Sequence, residues 1–227
     1  MKKYKKIILL LSTCFIAIGT LAQDSTEAAV VKKAKAVKNT FGSVWLMDNQ
    51  TVMVPIKGTL EMDIQHRFGT VDKGKKDAWG LFAPSNIRIG FNYSPLNKLF
   101  VGAGITKERT QIDFNAKYAL FQQTINNKVP LSVTLFGNMI VDAREKSNFR
   151  YSVDRFSYFS QLIIARKITE NFSAQVAPSF SWYNNVEAYV DGNGKIQKKM
   201  NNGHLAISVL GRYKVTEKSA IIVGYDQ

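Results

Sequence analysis

The sequence predicts an all-β protein, an antiparallel up-and-down transmembrane β-barrel. Three observations carry that reading: strand-length segments whose apolar columns hold no charge, connections that are long at one end and short at the other, and aromatic residues gathered at the column ends. The clearest strand is "KGTLEMDIQHR", residues 57–67. Leu60, Met62 and Ile64 fall on one face and Glu61, Asp63, Gln65 and Arg67 on the other, the period of two that belongs to a strand between an apolar and a polar phase.

Residues 1–22 read as a signal peptide: Lys2, Lys3, Lys5 and Lys6 precede an apolar run from Ile7 to Leu21, with small residues before Gln23. A membrane-spanning helix wants about 20 apolar residues. This run is shorter and is broken by Ser12, Thr13 and Thr20. Residues 23–56 read as an N-terminal periplasmic segment and 57–227 as the barrel domain.

Within that domain the strands are predicted at 57–67, 85–94, 98–106, 110–121, 130–141, 155–167, 171–183, 203–215 and 218–227. The apolar columns include Ile87, Ile89, Phe91 and Tyr93; Ile112, Phe114, Ala116 and Tyr118; and Leu205, Ile207, Val209 and Tyr213. The opposite columns carry Asn92, Asn115, Ser132, Thr134, Gln161, Gln175 and Ser208, with Gly90, Gly102, Gly104 and Ala177 among them, which suits a narrow interior. Connections 68–84, 142–154 and 184–202 are long, whereas "SPLNK", "TEN" and "TEK" are tight. Outer-membrane barrels show this asymmetry, with short periplasmic turns and longer external loops. Tyr93, Tyr118, Phe172 and Tyr213 lie at the short-turn ends of the columns and Phe156, Tyr158 and Trp182 at the long-loop ends, as two interfacial girdles would. A hairpin plan also repeats 47 positions apart, from Arg166 and from Tyr213.

Bacterial single-chain barrels have even strand numbers, and "VGYDQ" stops in strand-like sequence. The expectation is therefore a sequence truncated at its C-terminus, from a barrel of about 10–12 strands, whose strands 57–67 and 218–227 cannot pair fully with each other. A strand around Val44 to Val54 is the less favoured way to close the sheet.

Net charge is +14, or +10 once the four lysines of residues 1–22 are removed. The lysines sit in separate turns and tails without interleaved aromatics, so no nucleic-acid partner is expected; outer-membrane lipid is the expected anionic neighbour. The single cysteine, Cys14, falls in the apolar run. His66 and His204 are too few for a zinc site, and "DGNGK" at 191–195 lacks the later acidic ligands of a calcium loop. No nucleophile elbow, phosphate loop or dinucleotide fingerprint occurs, so neither metal, cofactor nor enzymatic activity is expected.

The polar columns supply the one constellation of charges: Glu61, Asp63, Arg67, Arg88, Asp113, Lys117 and Arg212 as lumen-lining candidates. They could line a small aqueous pore. They could equally form a paired network in a barrel too narrow to conduct, which the small glycine and alanine positions favour.

The stretches "HRFG" at 66–69, "SNIRIGFNYSP" at 85–95 and "DFNAKYALFQQ" at 113–123 resemble an uncharacterised family of outer-membrane β-barrel proteins of Bacteroidetes-type bacteria. The resemblance spans roughly residues 57–227 and implies the fold and the membrane, without an activity or catalytic residues to carry over. The expected function is that of an outer-membrane β-barrel with a structural or passive channel-like role, a candidate partner in an envelope assembly. Two alternatives stand: a soluble periplasmic lipid-binding barrel with its apolar columns turned inward, and a lipid-modifying enzyme using His66 or His204 at the rim.

Overall fold

The computed structural model describes residues 34–227. The predicted signal peptide at 1–22 lies outside the described residues. Two short strands, β1 (Trp45–Leu46) and β2 (Asn49–Gln50), form a hairpin of their own. The main sheet is built from β3 (Leu60–Arg67), β4 (Asn86–Leu96), β5 (Leu99–Thr106), β6 (Gln111–Phe121), β7 (Ser132–Asp142), β8 (Phe156–Lys167) and β9 (Phe172–Tyr183). A small hairpin, β10 (Ala188–Val190) with β11 (Ile196–Lys198), rises from the last long connection. The sheet then resumes with β12 (Gly203–Lys214) and β13 (Ala220–Asp226). The nine predicted strands therefore all form, with ends moved by three residues at most.

Every strand pairs antiparallel with its sequence neighbour in the main sheet, giving the order β13-β12-β9-β8-β7-β6-β5-β4-β3. The meander follows from its short turns, because two- to five-residue loops join only adjacent antiparallel strands. The sheet is not closed: β3 and β13 are its two edges and are not paired with each other. Both run from the short-turn end to the long-loop end, so they point the same way.

Alternation sorts the side chains as the columns predict. Leu60, Ile89, Phe91, Phe114, Leu135, Leu162, Leu205, Val209 and Val223 are exposed on one face, Leu205 by 85 %. On the other face Asn92, Asp113, Asn115, Lys117, Thr134, Gln161, Gln175 and Ser208 are buried. A soluble barrel would need the reverse arrangement, so the inside-out alternative is corrected by the direction in which the apolar columns face.

The inner face is covered by the chain that precedes β3. Thr40, Phe41, Val44, Asn49, Gln50, Thr51 and Val52 are all buried. Phe41 and Val52 pack with Phe136, Ile163, Ala165, Ala177 and Leu210, inward residues of β7, β8, β9 and β12. An apolar cluster thus fills a space that the sequence columns describe as polar. The segment touches both edges of the sheet, through Arg67 and Asp226, and strands between them. Only a sheet curled around the segment permits that.

Candidate functional site

The inward face of β3, β4 and β6 brings together three of the candidate charges. In the β3–β4 register Asp63 stands opposite Gly90, and in the β5–β6 register Gly104 stands opposite Asp113. Arg88 reaches across this floor. Its NH1 donates to Asp63 Oδ1 at 2.6 Å, and its Nε and NH2 donate to Asp113 Oδ1 and Oδ2 at 2.8 and 2.7 Å, a bidentate grip. Asn92 Nδ2 donates to the second oxygen of Asp63 at 2.6 Å, and Asn115 Nδ2 to Asn92 Oδ1 at 3.4 Å.

The glycines explain how so large a head group fits. A Cβ at Gly104 would stand 2.5 Å from Arg88 NH2 and 2.6 Å from its Cζ. One at Gly90 would collide with the guanidinium and with Asp63, and one at Gly102 with the amide of Asn92. The small positions that the sequence offers as a narrowed wall are the seat of the ion-pair network.

Lys117 is 1 % exposed and lies on the same strand as Asp113. Its ammonium donates to two backbone carbonyls of the inner segment, Val44 O at 3.1 Å and Met53 O at 3.3 Å. Among the described residues no carboxylate lies within 4 Å of it. Thr134 Oγ1 donates to Val52 O at 2.9 Å, Gln175 Nε2 donates to Gln50 O at 2.8 Å, and Gln175 Oε1 accepts from Val52 N at 3.0 Å. Beyond the short β1–β2 pairing the segment has no sheet partner for its own peptide groups, and buried peptide groups need one. The inward side chains of β6, β7 and β9 supply it.

The other candidates are dispersed. Arg67 sits at the rim, paired with Asp48 at 2.9 Å with both side chains largely exposed. Arg212 faces inward beside Gly42, with its NH2 3.6 Å from where a Cβ on that glycine would be. Glu61 is half-buried on the inner face of β3. His66 stacks edge-on against Phe68, and His204 Nε2 lies 2.8 Å from Asn201 O. Among the described residues no cluster of three or more His, Cys, Asp or Glu could hold a metal ion.

A cavity of about 440 Å³ opens between the β1–β2 hairpin and the wall, lined by Trp45, Asn138, Phe159, Gln161 and Ser208 and reaching Arg67 and Asp226. The hairpin tip latches both edges of the sheet here: Asp48 holds Arg67, and Asn49 Nδ2 donates to Asp226 Oδ2 at 3.3 Å. No pattern in the sequence announced this. The strand expected around Val44 to Val54 is corrected: it does not join the main sheet to close it, but turns back on itself as the β1–β2 hairpin, and its role appears only when the wall is folded around it.

Residues 41–227 match a family model described as "Membrane bound beta barrel domain (DUF5777)". The chain belongs to this membrane-bound β-barrel family. The matched region begins at residue 41, so the barrel-domain family includes the inner segment that the sequence reading set apart from the barrel. No curated protein and no solved structure matches the chain. Membership in a membrane-bound family agrees with the exposed apolar face, which in a membrane meets lipid tails instead of water.

The long-loop end carries further charges. Glu187 accepts from Lys199 at 3.0 Å, and Arg109 lies 3.4 Å away. The hydrogen bond from Lys199 holds the Glu187 carboxyl below its ordinary range. These groups are exposed, so the pairs order the β10–β11 hairpin more than they stabilise the fold.

Proposed function

We propose that this protein is an outer-membrane β-barrel with a structural role whose lumen is filled by its own chain, in preference to an open passive channel. The observation that carries the reading is the segment 40–53, of which Thr40, Phe41, Val44 and residues 49–52 are buried against the inner face, and which is hydrogen-bonded to Lys117, Thr134 and Gln175. The Asp63–Arg88–Asp113 network occupies the floor beside it. A conducting lumen needs a continuous water path. Packed side chains and satisfied backbone groups oppose one.

The same reading assigns the protein no reaction and no nucleic-acid partner. Its contacts are with outer-membrane lipid and, through the exposed loops, with other proteins of the envelope. Planar-bilayer recording tests it. The full chain should give no steady conductance, and removal of residues 40–53 should create one. Steady conductance of the full chain at rest would overturn the filled-lumen reading and favour the passive channel.

A further inference from the structure

We propose that the connection between β7 and β8 binds phosphorylated lipid headgroups of the membrane leaflet it borders. This connection, residues 143–155, leaves the sheet at the long-loop end and returns at Phe156. There the outward side chains of Tyr158 and Trp182 are exposed on the apolar face, at the level where aromatic residues mark a membrane interface. The loop therefore sits where headgroups are.

Its chemistry is that of a phosphate site. Arg144, Lys146, Arg150 and Arg155 fall within twelve residues, around two aromatic rings. The Phe149 ring carries Arg155 at 5.0 Å and Arg144 at 5.9 Å, and Tyr151 carries Arg150 at 5.4 Å. A guanidinium laid on a ring is held in place while its edge donors stay free to meet oxygen. Of the four cations only Arg144 has an acidic partner, Asp142 at 2.7 Å. Among the described residues Lys146, Arg150 and Arg155 have no carboxylate within 4 Å. Arg155 NH2 donates to Arg144 O at 3.4 Å, which closes the loop on itself and holds the two arginines side by side at the Phe149 ring.

The other long connections differ. Arg109 and Lys199 are already engaged by Glu187, and Arg67 by Asp48. Of the two acids in the proposed loop, Asp154 is occupied, accepting from the backbone N–H of Tyr151 at 2.8 Å, and Glu145 is outnumbered by the four cations. Lys73, Lys75, Lys76 and Lys195 in the other long connections are also without a carboxylate within 4 Å, but among the described residues only the arginines of 143–155 are clustered on aromatic rings. The forked donors that a guanidinium presents match phosphate oxygens better than a diffuse negative surface.

The experiment uses the full chain in phosphatidylcholine nanodiscs doped with phosphatidic acid, with lipid retention read by native mass spectrometry. Replacing Lys146, Arg150 and Arg155 together by Gln should weaken retention by about a hundredfold or more, given what direct hydrogen bonds from charged donors to phosphate oxygens contribute. A control removes the same charge elsewhere at the long-loop end, with Lys75, Lys76 and Lys198 each changed to Gln. It should weaken retention by less than about threefold on the same scale. Folding of each variant is checked by heat-dependent gel mobility, and the exposed single variant Arg150→Gln stands in if the triple variant fails to fold. Equal loss in the control would show a diffuse charge effect and overturn the site. Unchanged retention in the loop variant would do the same. If inorganic phosphate at moderate concentration displaces the lipid completely, the site takes free phosphate and the lipid assignment falls.

Discussion

Arg88 concentrates the residue-scale physics of this protein. Its side chain and those of Asp63 and Asp113 are between 6 and 13 % exposed, so none of the three can find water if a partner is lost. Removing one partner of a buried ion pair costs about 3–5 kcal/mol, mostly because the other charge is stranded. Arg88→Gln should therefore destabilise the barrel by about that amount in a urea titration of the reconstituted protein. Adding Asp63→Asn and Asp113→Asn to the same variant should recover much of the loss, since no uncompensated carboxylate then remains. A triple variant as unstable as the single would mean that the guanidinium acts through packing. Gly104 gives a second prediction. A valine there would occupy the space of the guanidinium, so Gly104→Val should be destabilised while Arg88→Gln/Gly104→Val loses less than the sum of its parts, a non-additivity expected of residues in contact.

At the scale of elements, each strand has a lipid face and an inner face, and the inner face is packed. Val209→Arg places a charge on the exposed column and should cost about 2–4 kcal/mol if it meets the bilayer midplane, falling nearer the interfaces. Thr134 on the inner face is 0 % exposed and donates to Val52 O of the inner segment, so arginine there has no aqueous lumen to enter. Both substitutions should therefore destabilise, the second by overpacking. The inner segment is the element that most of this packing serves. Phe41→Ala should cost about 3–5 kcal/mol, as a buried phenylalanine does, and denaturation followed by tryptophan emission would report it. A loss near zero would show that the segment leaves the wall without consequence.

For the whole molecule, the meander sends the three longest connections, 68–85, 143–155 and 184–202, to one end of the sheet and the tight turns after β4, β8 and β12 to the other. Single cysteines at Lys75, Lys146 or Lys198 should react with an impermeant thiol reagent on intact cells, while cysteines at Asn97, Glu170 or Glu217 stay protected. Residues 23–227 contain no native cysteine to confuse the result. Equal labelling of the two groups would refute the orientation. The sheet edges are a second property of the whole. Strands β3 and β13 point the same way, as an odd number of antiparallel strands requires; they are not paired with each other, and the β1–β2 hairpin spans them through Asp48–Arg67 and Asn49–Asp226.

The nine strands, their order and their two faces were legible in the sequence, because a period of two and a tight turn are local properties that each segment carries alone. Leu60, Met62 and Ile64 face outward for the same reason: one face of β3 is apolar over its length, and a membrane barrel turns that face to lipid. The candidate charges were legible as a set but not as a site. Which of them meet depends on register between strands far apart in sequence, so Asp63, Arg88 and Asp113 converge while Arg67 remains at the rim. What only the tertiary structure decided is the content of the lumen. Residues 40–53 carry no period that reveals their place, since an extended segment held by the side chains of other strands satisfies its backbone through distant partners. Lys117, Thr134 and Gln175 become those partners only when the sheet curls around the segment.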